Sequence, residues 1–266
     1  MTPAETFRSL HHADRVLVLP NAWDAASARL VEECGATAIA TSSAAVAWAH
    51  GRADGEQLDP AALLETVRAI VRVVRVPVSV DAEAGYHAEP EAIADMIAAV
   101  LDTGAVGVNL EDGLVAPERL AEKIGVAKRA AARTGRELFV NARTDVYLRN
   151  IAAGDAAIAE TLRRARMYRE AGADGLFVPG LVEAEGIRTI AHEAGLPLNL
   201  LARPKLGPVE ELRSLGVRRL SVGASLAQAA LGLARQATRE LLDRGTYGTL
   251  FADVVAGVEL NGWFKR

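Results

Sequence analysis

The sequence predicts a (β/α)8 barrel, on three observations. Short β-branched runs alternate with longer helix-like stretches along the chain. Eight such pairs recur at roughly 30-residue spacing, as a closed barrel of parallel strands requires. The helix ends also repeat one phrase, E-C-G-A at Glu33, D-T-G-A at Asp102, E-A-G-A at Glu170, E-A-G-L at Glu193 and S-L-G-V at Ser214. In each, the glycine suits a left-handed cap and the next apolar residue opens a strand.

Strands are expected at residues 16–19, 36–41, 76–81, 105–110, 137–141, 175–178, 196–200 and 219–222. Helices are expected at 25–33, 60–74, 89–102, 117–133, 155–170, 183–193 and 209–214, with a long C-terminal one at 226–243. In the third helix, Ile93, Met96, Ile97 and Val100 share a face at three- and four-residue spacings. Pro60 and Pro117 stand at helix starts, where a missing amide hydrogen costs little. No Pro/Gly/Ser-rich linker divides the chain, so residues 1–266 are expected to form one barrel domain carrying C-terminal helices at 226–266. The rival fold, an open doubly wound sheet binding a dinucleotide, would need a glycine fingerprint after its first strand. V-L-P-N-A-W-D supplies none.

Half of the 266 residues are apolar and only 5% aromatic, which suits closely packed helices over a sheet. A net charge of -4 gives no electrostatic reason to expect nucleic acid as a partner. No uninterrupted apolar span reaches the length of a membrane helix, and the N-terminus lacks a basic segment followed by an apolar one. A cytoplasmic protein with no membrane partner is the expectation. The only cysteine, Cys34, allows no intrachain disulfide and is expected to be a buried structural thiol.

The polar residues fall at one end of the strands, where barrel enzymes place their chemistry. Strand by strand they are Asn21 and Asp24; Thr41, Ser42 and Ser43; Asp81 and Glu83; Asn109, Glu111 and Asp112; Asn141, Arg143 and Asp145; and Asn199. The opposite ends carry mostly turn residues. Acids without histidine or cysteine suit a hard cation such as Mg2+, with Asp81 the closest ligand and Glu83 and Glu111 direct or water-mediated. Capping of the next helix or pairing with arginine is the alternative for each acid. Arg143 has a fork able to grip a carboxylate or phosphonate, and Asp145 is expected to orient it or cap a turn. T-S-S-A-A at Thr41 offers hydroxyls and successive amides for an acid group or a developing enolate oxygen, or simply a turn and cap. Asp54 lies in an exposed-looking loop; Trp48 and His50 read mainly as packing, and Tyr86 is placed to close over a substrate.

With these motifs assembled, the chain resembles the isocitrate lyase and phosphoenolpyruvate mutase superfamily over about its first 240 residues. The resemblance is carried by L-P-N-A-W-D-A-A-S-A at Leu19, T-S-S-A-A-V-A at Thr41, D-G-E-Q-L at Asp54, V-S-V-D-A-E-A-G-Y at Val78, G-V-N-L-E-D at Gly107 and V-N-A-R-T-D at Val140. P-L-N-L-L-A-R-P at Pro197 and R-R-L-S-V-G at Arg218 continue it. It implies a barrel that uses Mg2+, with Mn2+ as a substitute, on small 2-oxo acids or their adducts. It also implies a dimer of dimers exchanging C-terminal helices. Carried onto this chain, the metal acids are Asp81, Glu83 and Glu111, with Asp54 contributing through water. Ser42, Ser43 and Ala44 match the segment that binds the oxo-acid carboxylate and oxygen, Arg143 the substrate arginine, and Trp23 an aromatic pocket residue; Asn199 joins the substrate set.

One departure narrows the activity. Isocitrate and methylisocitrate lyases carry K-K/R-C-G-H on the loop after the fourth strand, and its cysteine is the proton donor. Here that region reads E-D-G-L-V-A-P-E-R-L, without cysteine, histidine or lysine. The expected activity is therefore C-C cleavage of a 2-oxo acid through an enolate-like intermediate, with Glu111 handling the proton and Arg143 and Ser42 completing the catalytic set. P-C chemistry of the phosphoenolpyruvate mutase or phosphonopyruvate hydrolase kind, and a non-catalytic metabolite-binding barrel, are the alternatives.

Overall fold

The computed structural model describes residues 1–252 and 260–265. Its strands are β1 (Leu17–Leu19), β2 (Asn21–Ala22), β3 (Ile39–Thr41), β4 (Val78–Asp81), β5 (Gly107–Glu111), β6 (Phe139–Arg143), β7 (Gly175–Phe177), β8 (Leu198–Leu201) and β9 (Arg219–Ser221). All pair in parallel in the order β1-β9-β8-β7-β6-β5-β4-β3-β2. β1 and β2 are one extended segment interrupted at Pro20, which has no amide hydrogen to give a ladder. Because β1 lies beside β9 and β2 beside β3, this split first strand joins both edges and closes an eight-stranded barrel. Asn21 fastens the seam: its Oδ1 accepts from the amides of Val222 and Gly223, both at 2.9 Å, and its Nδ2 donates to the Thr41 carbonyl at 2.7 Å.

Seven expected helices lie between the strands as α2 (Ala25–Glu33), α4 (Pro60–Val73), α5 (Pro90–Asp102), α6 (Pro117–Arg133), α7 (Gly154–Glu170), α8 (Ala184–Glu193) and α9 (Val209–Ser214). The long C-terminal helix is α10 (Ser225–Arg244), followed by a 3-10 turn at Gly248–Phe251 and by α11 (Leu260–Phe264). The joint glycines behave as expected, Gly104 with φ +94° and Gly216 with φ +91°. Outward strand residues such as Val80, Val108, Leu110, Val140, Leu176, Leu198 and Leu200 bury against the helices in the main core. Their neighbours in sequence turn into the barrel.

Two helices were not expected. α1 (Pro3–His11) starts at a capping box in which the Thr2 hydroxyl accepts from the Glu5 amide and Glu5 accepts from the Thr2 amide. The signal T-P-A-E was in the sequence, but the helix is only nine residues long and its apolar face rests on Ala4, Phe7 and Leu10 alone. α1 plugs the N-terminal end of the barrel: fully buried Phe7 meets the Phe139 ring edge-on at 5.3 Å, and His11 stacks on Phe139 at 4.1 Å. α3 (Ser43–Ala49) replaces the expected serine loop, with Ser42 as its cap.

Cys34 corrects the expectation of a buried thiol: it is exposed. It caps α2 after the last inward residue, Val31, and the chain turns away at Gly35. α10 is exposed along most of its length, with Ala227 and Ala237 buried and Leu231, Leu241 and Leu242 open to solvent. Residues 253–259 of the expected C-terminal helical segment lie outside the described residues. Among the described residues no helix is long and apolar enough to cross a membrane.

Burial and the nearby charge of Arg219 lower the pKa of His11 from 6.5 to about 3, while its Nδ1 bonds the Phe7 carbonyl at 2.8 Å. Between those values the unfolded chain binds a proton that the folded one refuses, so stability falls as pH drops below 6.5. This group alone removes about 2 kcal/mol between pH 6.5 and 5. Urea titrations at pH 7 and 5 are expected to show the wild type losing more stability than His11→Phe; equal losses would reject the assignment.

Candidate active site

At the carboxyl ends of β3 to β6 the inward alternation places Ser42, Asp81, Glu111 and Arg143 around one rim. Asp81 is anchored through its backbone, whose amide donates to Thr41 Oγ1 at 2.9 Å. Its Oδ2 accepts from the Ser43 amide at 3.2 Å, while Oδ1 is buried without a partner.

Glu83 is buried, and the chain bends through a left-handed conformation to place it, with φ +49°. Its Oε1 accepts from the Tyr86 hydroxyl at 2.9 Å and its Oε2 from the Glu56 amide at 2.7 Å. The Glu56 carboxylate in turn accepts from the Tyr86 amide at 2.6 Å, which ties the loop before α4 to the loop after β4. Burial raises the Glu83 pKa, with the charges of Asp81 and Asp54 pushing the same way against the bonds from Tyr86 and Glu56. Tyr86, weighed from sequence as a residue closing over substrate, here clamps an acid.

Glu111 pairs with Arg143 Nη1 at 2.6 Å. Burial nevertheless pushes its pKa up to about 8; Asp81, Asp145 and Glu83 add to the rise, and Arg143 opposes it. The other side of the Arg143 fork rests on Asp145, Nε to Oδ1 at 2.7 Å and Nη2 to Oδ2 at 3.1 Å. Asp145 thus takes the orienting role read from sequence. A guanidinium has five N-H groups, so one on each terminal nitrogen of Arg143 stays free for a ligand.

Sequence reasoning missed what holds this arginine in place. Asp112, 1% exposed, accepts from the Asp145 amide at 2.9 Å, from Arg164 Nη1 at 2.8 Å and from the Tyr168 hydroxyl at 2.6 Å. Arg164 and Tyr168 lie four residues apart on α7, on the face that also buries Thr161 and Ala165. A charged residue inside a buried helical face was the available signal.

The remaining predicted residues are less closely gathered. Ala44 is the second residue of α3 and is half-buried. Trp23 packs partly buried against the main core. Asp54 is exposed in a turn, its charge reaching Glu83. Asn199 is 1% exposed with Nδ2 unpartnered, below the rim. Among the described residues no three of His, Cys, Asp and Glu stand close enough to form a metal shell by themselves. The expected four-acid set is therefore not gathered as a coordination shell, because Glu83 and Glu111 are engaged by Tyr86, Glu56 and Arg143. What does fit a cation is the unpartnered Asp81 Oδ1, beside Glu83 and Glu111, whose pKa values its charge helps to raise.

The phosphoenolpyruvate phosphomutase family model matches residues 7–242. The chain belongs to the isocitrate lyase and phosphoenolpyruvate mutase superfamily. It is 39% identical to a putative phosphonomutase from Burkholderia cenocepacia of known structure, covering 92% of this chain and 98% of that one at a TM-score of 0.86. It is 37% identical to an uncharacterized protein of Mycobacterium tuberculosis over 90% of this chain and 89% of the relative. It is also 30% identical to an oxaloacetate decarboxylase of Bradyrhizobium over 90% and 83% respectively. The β5–α6 connection of this chain is residues 112–116, with Leu114 and Val115 exposed.

Proposed function

We propose that the chain is a Mg2+-dependent lyase that cleaves a C-C bond in a small 2-oxo acid through an enolate-like intermediate. The observation that carries this reading is the buried, unpartnered Asp81 Oδ1, whose charge is felt by Glu83, Glu111 and Arg143. Superfamily membership supports C-C or P-C chemistry on small carboxylic or oxo acids. The oxaloacetate decarboxylase relative favours the C-C side, and the phosphonomutase neighbour keeps P-C chemistry as the second reading.

Asp81 would hold the cation directly, with Glu83, Glu111 and Asp54 reaching it through water; Mn2+ would fit the same oxygens. When bound, the cation supplies positive charge that favours negative charge on the 2-oxo oxygen. Arg143 fixes a substrate carboxylate with its free N-H groups, and Ser42, Ser43 and Ala44 line the opposite side. Trp23 and Asn199 bound the pocket. Burial pushes the Glu111 carboxyl up to about 8, which makes it the rim residue suited to deliver the proton that quenches the enolate carbon. This role fills the place of the absent lyase cysteine, and it suits a Glu111 that reaches the cation through water.

The active particle is proposed to be a dimer of dimers exchanging the C-terminal helices at 226–266. Exposed Leu226 on α10 borders a groove of about 520 Å³ with Val18 and Leu30, which an exchanged helix would cover. Light scattering should then give the mass of four 28.1 kDa chains; a monomer would contradict it.

In a screen of oxaloacetate, phosphonopyruvate, methylisocitrate and dimethylmalate with pyruvate and carbon-dioxide readouts, the wild type is expected to turn over an oxo acid. Asp81→Ala and Arg143→Ala should each lose about 100-fold or more in kcat while keeping the wild-type circular dichroism. Full activity in either variant would sink the site, and activity unchanged by exhaustive metal removal would sink the Mg2+ requirement.

A further inference from the structure

The barrel interior below the rim is polar where barrels of this kind are filled by branched apolar side chains. Ser79, Asn109, Asn141, Asn199 and Arg219 all face it, each at most 5% exposed. Two glycines make the room. A Cβ on Gly107 would come within 3.1 Å of Ser79 Oγ, and one on Gly175 within 2.8 Å of Asn141 Oδ1.

Arg219 is fully buried. β9 and β5 stand four places apart in the eight-stranded ring, so its side chain crosses the lumen. There Nη2 donates to Asn109 Oδ1 at 3.4 Å, and Asn109 is the register partner of Asp81. Asn109 Oδ1 also accepts from Asn141 Nδ2 at 2.9 Å. The guanidinium lies over the Phe7 ring of the α1 plug, 6.0 Å from its centroid. Arg219 forms no ion pair among the described residues, and its Nε and Nη1 have no partner. Ser79 Oγ, Asn141 Oδ1, Asn199 Nδ2 and Asp81 Oδ1 are likewise unpaired. Polar groups left together in this way take buried water. Burial lowers the Arg219 pKa to about 9 against the favourable charge of Asp81, so it stays charged at neutral pH.

We propose that Arg219 is a positioning residue that places a fixed positive charge beneath Asp81, linked to it by Asn109 and buried water, so that the rim favours a cation and an anionic ligand together over a cation alone. The inference rests on the metal and oxo-acid reading of the rim. A charge held in a low-dielectric interior acts on both ligands, with opposite sign. It opposes a lone cation and favours a dianion.

The test measures Mn2+ binding alone and then oxalate binding at saturating Mn2+, in the wild type, Arg219→Met, Arg219→Gln and Arg219→Lys. The neutral variants should bind Mn2+ alone about tenfold tighter and oxalate about tenfold weaker, with Arg219→Lys close to the wild type. A purely structural role would weaken both ligands together, and that result, or no change in either, would overturn the proposal. A wild type that binds neither probe would sink the functional reading and this inference with it; a wild type that binds both keeps the two separable. If neither neutral variant folds, a crystal structure of the wild type decides, since ordered water on Arg219 Nε and Nη1 is required and a dry lumen would refute the proposal.

Discussion

Desolvated acids at the ends of buried strands are the constraint on which the rest of this site depends. Burial alone disfavours a charged carboxylate, and each further acid raises the cost for its neighbours. Asp81, Glu83 and Glu111 are held in that situation, and the surrounding structure manages it. Tyr86 and the Glu56 amide occupy Glu83, and Arg143 occupies Glu111. Arg143 is itself fixed through Asp145 and Asp112 to α7. The clamps hold Glu83 and Glu111 in place, and Asp81 Oδ1, which no protein group reaches among the described residues, is the oxygen that a divalent cation would meet.

Much of the fold was legible because a parallel barrel writes its period plainly. β-branched runs, helical spacing at Ile93 to Val100 and glycine joints located the eight strands and most of the helices. α1 was missed because a nine-residue helix with three apolar side chains is a short signal, and its burial comes from docking into the barrel floor. α3 was missed because Ser42 and Ser43 suit a turn and a helix cap equally well, and tertiary context chose the cap. The split at Pro20, with Asn21 holding the seam, depends on closure that no local pattern records.

The site was legible residue by residue but not as a network. Asp81, Glu111 and Arg143 were read from their positions at strand ends, and they meet on one rim. The bonds that set their chemistry come from Tyr86, Asp112, Arg164 and Tyr168, whose partners lie on other elements. The strands' double character was also hidden. V-S-V-D, G-V-N-L-E and F-V-N-A-R look like apolar runs with polar ends, yet each alternates between a helix-facing apolar side and a polar lumen. In the proposed reading the connection after β5, residues 112–116, brings no cysteine, histidine or lysine, so the proton would fall to a residue already on the rim, Glu111.

The central claim is that the crowded acids form a cation site anchored at Asp81. Isothermal titration of Mg2+ into the metal-stripped protein and into Asp81→Asn tests it most directly. One ion per chain is expected in the wild type, with loss of that binding in the variant. A wild type that takes up no ion, or a variant that binds as the wild type does, would contradict it.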